Sequence, residues 1–117
     1  MQTTYQPKAL SSDQLQALSQ EVKQALTELY GERLDRVILY GSYARGDFHA
    51  ESDVDYLVVL NDDEVKSGKE IWFFGEAASD LTDKFNVFVS FKPTSIKKYR
   101  TSDLLFYQNV RREGKTI

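Results

Sequence analysis

The run Asp53-Val54-Asp55-Tyr56-Leu57-Val58-Val59-Leu60 constrains the fold more than any other stretch of the chain. It is apolar and β-branched over most of its length, and Asn61-Asp62-Asp63 ends it with turn chemistry. Such a run reads as a β-strand, the strongest in the sequence. Side chains alternate faces along a strand, so Asp53 and Asp55 project the same way. Two carboxylates side by side repel, and a strand otherwise this apolar has no structural need for them.

The neighbouring elements follow from period and punctuation. Ser11 and Gln14 fit a Ser-x-x-Gln capping box. Leu15, Leu18, Val22, Ala25, Leu26 and Leu29 then make one helical stripe, with Lys23 and Glu28 off it and Gly31 as the stop. Arg36–Tyr40 reads as a buried strand. Gly41-Ser42 follows it, and Tyr43-Ala44-Arg45 makes one helical turn before Gly46. Residues 47–52 are polar and read as a loop. A second helix is predicted over about Lys69–Lys84, with Ile71, Phe74, Ala78 and Leu81 on its apolar side. Asn86–Phe91 is the third strand, and Pro93 breaks the chain. Thr94-Ser95 caps a short helical piece ending near Tyr99. Ser102 caps a last helix carrying Leu104, Leu105 and Val110, which Gly114 ends; Lys115-Thr116-Ile117 is a tail or short terminal strand.

The connection between the first two strands is too short for a crossover helix, so that pair is expected antiparallel. The helix before the third strand suits a right-handed crossover between parallel neighbours. The fold class is α+β, an α/β two-layer arrangement: a small mixed sheet covered by helices on one face. With 117 residues the chain reads as a single domain, 1–117, with residues 1–10 as a loose lead-in.

Composition narrows the chemistry. There is no cysteine and one histidine, which leaves no thiolate or His-rich metal site. With 15 Lys+Arg against 18 Asp+Glu, the net charge of −3 argues against direct nucleic-acid binding. No apolar run approaches the roughly 18 residues that span a bilayer, and Met1-Gln2-Thr3-Thr4 does not open a secretory signal. A cytoplasmic domain is expected.

Three features then converge between residues 41 and 55. Asp53 and Asp55 gain from a bound divalent cation, or two, which reverses their repulsion; two metals roughly 3.5–4 Å apart clamp the oxygens of a phosphoryl or nucleotidyl transfer. Oxygen-only ligands suit Mg²⁺ or Mn²⁺ rather than Zn²⁺. Gly41, lacking a Cβ, lets the backbone approach a ligand closely, and Ser42 adds a hydroxyl and an N–H at the start of a turn whose free N–H groups attract phosphate oxygens. Arg45 is a cation suited to a bidentate phosphate contact or to a partner protein.

Gly41-Ser42, the turn to Gly46, and Ser52-Asp53-x-Asp55 resemble the signature of the DNA polymerase β nucleotidyltransferase superfamily, and the short chain resembles its minimal nucleotidyltransferase (MNT) domains. The closest match is Gly41 to Leu60; the ending Asn109-Val110-Arg111-Arg112-Glu113-Gly114 also looks like that of MNT proteins. The resemblance implies a polymerase-β-like mixed sheet flanked by helices. It implies a nucleoside triphosphate held by Gly41 and Ser42, with Arg45 and Ser52 alongside, and catalytic metals on Asp53 and Asp55. It further implies an antitoxin that transfers AMP from ATP, with Mg²⁺, to a tyrosine of a HEPN-domain RNase toxin. The superfamily usually adds a third carboxylate from a later strand. Asn86–Phe91 has none: Asn86 stands in its place, Ser90 shares its face by parity, and Asp80 and Asp83 fall on the preceding helix. The alternative is therefore an MNT chain that blocks a HEPN toxin by binding alone; a small-molecule nucleotidyltransferase is a third reading.

His49 reads as a solvated loop histidine and Arg111-Arg112 as a cationic end to the last helix. Trp72-Phe73-Phe74 cannot share one helical face, since each residue turns about 100°, and Leu104–Tyr107 raises the same question. Part of these runs is expected at a partner or self-association surface.

Overall fold

A computed structural model describes residues 8–117. Helix α1 spans Ser12–Tyr30, capped as its sequence predicts: Ser11 Oγ accepts from Gln14 N–H at 3.1 Å and Gln14 Oε1 accepts from Ser11 N–H at 2.9 Å. A 3-10 turn (Gly31–Arg33) leads into β1, Leu34–Tyr40. One turn of helix, α2 (Ser42–Arg45), separates it from the loop before β2, Val54–Leu60. Helix α3 (Ser67–Phe85) precedes β3 (Val89–Ser95). Two short helices, α4 (Ile96–Thr101) and α5 (Leu105–Glu113), and the two-residue β4 (Lys115–Thr116) complete the chain.

The strand order is β3-β2-β1-β4. β1 and β2 are antiparallel; β2 and β3 are parallel across the α3 crossover, so the sheet is mixed as expected. β2 is central, which is why it carries the longest apolar run. Its even-numbered residues, Val54, Tyr56, Val58 and Leu60, are sealed against α1 and α3 together with Leu18, Val22 and Leu26. Its odd-numbered residues face the other way, where Leu57 and Val59 join Ile38 and Val110 in a smaller cluster edged by Tyr40, Ile96, Tyr99 and Phe106. Helices thus cover the second face as well, which the sequence reading left bare.

Several local expectations are corrected. Leu10 belongs to the core and donates its N–H to Tyr43 Oη at 3.0 Å, so the lead-in is tied down by its last residue; Pro7 and Met1–Thr4, on which the signal reading rested, lie outside the described residues. Ile71 is exposed, and its place on α3 is taken by the buried Glu70. That carboxylate accepts from Tyr30 Oη at 3.1 Å and from Arg33 Nη2 at 3.0 Å, and paired burial is the condition under which an acid is tolerated inside. The third strand begins at Val89 and runs through Pro93, because β3 is an edge strand, where a missing N–H is admissible. Ser95 caps α4 through its Oγ and the Lys98 N–H at 3.1 Å. Ser102 ends α4 instead of opening α5; Leu104 occupies the N-cap of α5, and Leu104 and Leu105 are exposed. Among the described residues no helix is long and apolar enough to cross a membrane.

Candidate active site

The chain turns sharply where β1 ends. Gly41 has φ +75°, a left-handed conformation that L side chains rarely adopt, and a Cβ there would land on the Asp55 carboxylate. Glycine is therefore required twice, for the turn and for the close approach. Gly41 O accepts from Ala44 and Arg45 N–H, both at 3.1 Å, which closes the single turn of α2. The N–H groups of Ser42 and Tyr43, at its start, have no partner within the helical ladder. Buried Tyr43 anchors the turn: its hydroxyl holds Leu10 and its ring stacks on Phe48 at 4.3 Å between centroids.

Asp55 is opposite Tyr40 on β1 and beside Ser90 on β3. Residues paired across strands share a face, so Tyr40, Asp55 and Ser90 line one row, on the α5 side. Asp53 is one alternation away, exposed at the mouth of the strand. The Asp55 carboxyl is pushed up to about 6, first by burial and then by the charge of Asp53, against a smaller opposing pull from Arg45. The two acids therefore sit near enough to repel, and each would gain from a cation between them. Desolvation plus like-charge pairing at a cleft is the electrostatic pattern of a functional site.

Arg45 is exposed, with Nε 3.1 Å from Asp47 Oδ2 and Nη1 3.6 Å from Glu113 Oε2. These contacts are surface ion pairs, weak enough to be exchanged for another anion. Ser52 serves the loop: its Oγ accepts from His49 N–H at 2.9 Å, while His49 Nδ1 accepts from Glu51 N–H at 3.2 Å. Asn86 is not in a strand. It is the left-handed C-cap of α3, exposed, three residues ahead of β3, and the parallel register brings Ser90 rather than Asn86 beside Asp55. Among the described residues no group of three or more acids or histidines is placed to hold a metal. The structure thus brings together Gly41, Ser42, Arg45, Asp53 and Asp55, and leaves Ser52 to the loop and Asn86 to the helix end.

The sequence reading did not place Tyr40, Phe106, Asn109 and Glu113 at the site. With Gly41, Arg45 and Val110 they line a cavity of about 200 Å³ against the glycine turn. Tyr40 carried a signal as the last strand residue before Gly41, and Asn109 and Glu113 as part of the MNT-like ending; the residues of the last helix reach the site by the return of α5 over the sheet.

The nucleotidyltransferase domain family model matches residues 19–108, most of the chain and all of the 41–55 constellation. The chain belongs to the nucleotidyltransferase domain family. A Methanocaldococcus jannaschii protein named as a protein adenylyltransferase is 40% identical over 70 residues, which cover 60% of this chain and 69% of the relative. Two solved structures share this nucleotidyltransferase fold. A toxin–antitoxin structure with AMP-PNP matches at TM-score 0.56 and 21% identity, over 92% of this chain and 72% of that one. A complex of the tri-AMPylated Shewanella oneidensis HEPN toxin with its MNT antitoxin matches at TM-score 0.57 and 20% identity, over 86% and 69%.

Proposed function

We propose that this nucleotidyltransferase moves AMP from ATP to a hydroxyl of a partner protein, a tyrosine of a HEPN-domain toxin, and so neutralises it in the cytoplasm. The observation that carries the reading is the approach of Asp55 to Gly41, with Asp53 beside it: paired acids placed where a backbone turn is open to a phosphate chain. The related protein adenylyltransferase and the toxin–antitoxin structures of the same fold support it.

The donor set fits a hard divalent cation. Asp53 and Asp55 offer only oxygen, and their mutual repulsion is what a positive ion relieves. They would hold Mg²⁺ or Mn²⁺, which supplies charge neutralisation at the transferring phosphoryl group. The chain's own residues do the rest. Gly41 admits the triphosphate against the backbone, Ser42 donates its N–H and hydroxyl, and Arg45 exchanges its carboxylate partners for a phosphate oxygen. The acceptor oxygen attacks the α-phosphorus, the bond to the β-phosphate oxygen breaks, and pyrophosphate leaves. With Ser90 beside Asp55 in place of an acid, the hydroxyl proton passes to water.

The net charge of −3 suits a protein acceptor better than nucleic acid. Exposed Ile71, Trp72 and Phe73 on α3, and Leu104 and Leu105, supply apolar surface for that partner. The test is to incubate the chain with a HEPN-domain toxin, ATP and Mg²⁺, and to weigh the toxin. An AMP adduct that disappears with Asp53→Asn is expected; no adduct under any condition overturns the reading.

The absence of a third acid favours a second reading, in which the chain silences the toxin by binding alone. Inhibition that survives Asp53→Asn together with Asp55→Asn, with no adduct on the partner, decides for it.

A further inference from the structure

We propose that the cavity between β1 and α5 is the seat of the nucleobase, and that Asn109 makes it selective for adenine. The proposal rests on the nucleotidyltransferase reading above and deepens it.

The cavity is contiguous with the phosphate turn, since Gly41 and Arg45 line both. At about 200 Å³ it is smaller than the roughly 300–1,000 Å³ of a site for a whole drug-sized ligand, and has room for one ring system. Its walls suit a planar aromatic. Tyr40 and Phe106 meet edge to face, 5.3 Å between centroids and 87° between planes, which forms a corner: a base stacked on one ring turns its edge toward the other. Val110 is the apolar floor. The triphosphate is a poor occupant of the same space, because the Glu113 carboxylate is in the lining and Tyr40, Phe106 and Val110 make apolar or aromatic walls.

Asn109 is the one neutral hydrogen-bonding side chain in the lining apart from the Tyr40 hydroxyl. Its Oδ1 accepts from Arg112 Nη2 at 3.0 Å, which orients the amide and leaves its N–H₂ and the second oxygen lone pair to a ligand. A carboxamide offers one donor and one acceptor side by side. That pair matches the N6 amino group and N7 of adenine; guanine presents two acceptors on the same edge.

The experiment is equilibrium binding of ATP, GTP and UTP, each with Mg²⁺, to the full chain. The wild type is expected to bind ATP about tenfold more tightly than GTP or UTP, as one bidentate base contact provides. Asn109→Leu is expected to lose that preference through weaker ATP binding while UTP binding holds. If Asn109→Leu does not fold by thermal melt, Asn109→Ser, which keeps a small polar side chain but lacks the paired donor and acceptor, carries the same expectation. Equal binding of the three nucleotides by the wild type, or an ATP preference kept by the folded variant, overturns the base seat and leaves the transfer reading standing. A wild type that binds none of the three overturns both.

Discussion

On the α1–α3 side of β2, Val54, Tyr56, Val58 and Leu60 are sealed by long helices. On the α5 side of the same strand the alternate residues are Asp55, Leu57 and Val59, covered by short helices that leave the first of them half-buried. The period-two geometry of one strand thus puts the sealed core on one face and the candidate site on the other. Removing bulk from the first side is expected to unfold the protein; changing charge on the second is expected to alter transfer with little loss of fold, or even a gain.

The largest effect on stability is expected from Tyr56→Ala. The side chain is fully buried, its hydroxyl lies 2.9 Å from Ser19 Oγ, and its ring packs edge-on against Phe91. A loss of about 3–5 kcal/mol, measured by urea denaturation, matches the truncation of other large core aromatics. A loss below about 1 kcal/mol breaks the contrast between the faces.

Gly41→Ala is expected next. The left-handed backbone alone costs roughly 1–2 kcal/mol for an L side chain, and the new methyl displaces the Asp55 carboxylate. Stability falls by about 2 kcal/mol, and AMP transfer falls by at least about a hundredfold. A variant that keeps wild-type transfer removes the glycine turn from the mechanism.

Asp55→Asn is expected to run the other way. Folding raises this carboxyl from its ordinary range to about 6, so the folded state binds the proton more tightly than the unfolded chain. That contribution is present at low pH and is lost as pH rises toward and through about 6. In EDTA at pH 7.5 the variant should therefore be more stable than wild type by about 1 kcal/mol, after allowance for solvent screening of a half-exposed group. The gap should close on acidification below about pH 4. Transfer should be abolished in the same variant. A variant less stable than wild type at neutral pH means that the carboxylate is satisfied by partners other than a ligand.

The smallest effect is expected at Trp72→Ser. The indole is 89% exposed, so stability changes by no more than about 0.5 kcal/mol, while pull-down of the proposed HEPN partner is expected to weaken. Unchanged capture places the partner elsewhere.

How much of this was legible in the sequence follows from how local each signal is. The α1 cap, the Gly31 stop and the apolar run of β2 are carried by neighbouring residues, and they stand where the sequence puts them. The Gly41 turn and the Asp-x-Asp spacing are local too, which is why the sequence alone points to the centre of the candidate site. Pro93 misled because whether a strand tolerates proline depends on its being at a sheet edge, a fact of topology. Asn86 misled for the related reason that the partner of Asp55 is set by the β2–β3 register. Glu70 took the inward position expected of Ile71 because Tyr30 and Arg33, some forty residues earlier, supply its hydrogen bonds.

Pro93 has a consequence beyond its local geometry. It sits midway along the outer strand of the sheet, next to the exposed Lys92. A chain that tried to add itself to that border would find one amide missing. Strand addition is disfavoured there, and the border is blunted against pairing with a neighbouring chain.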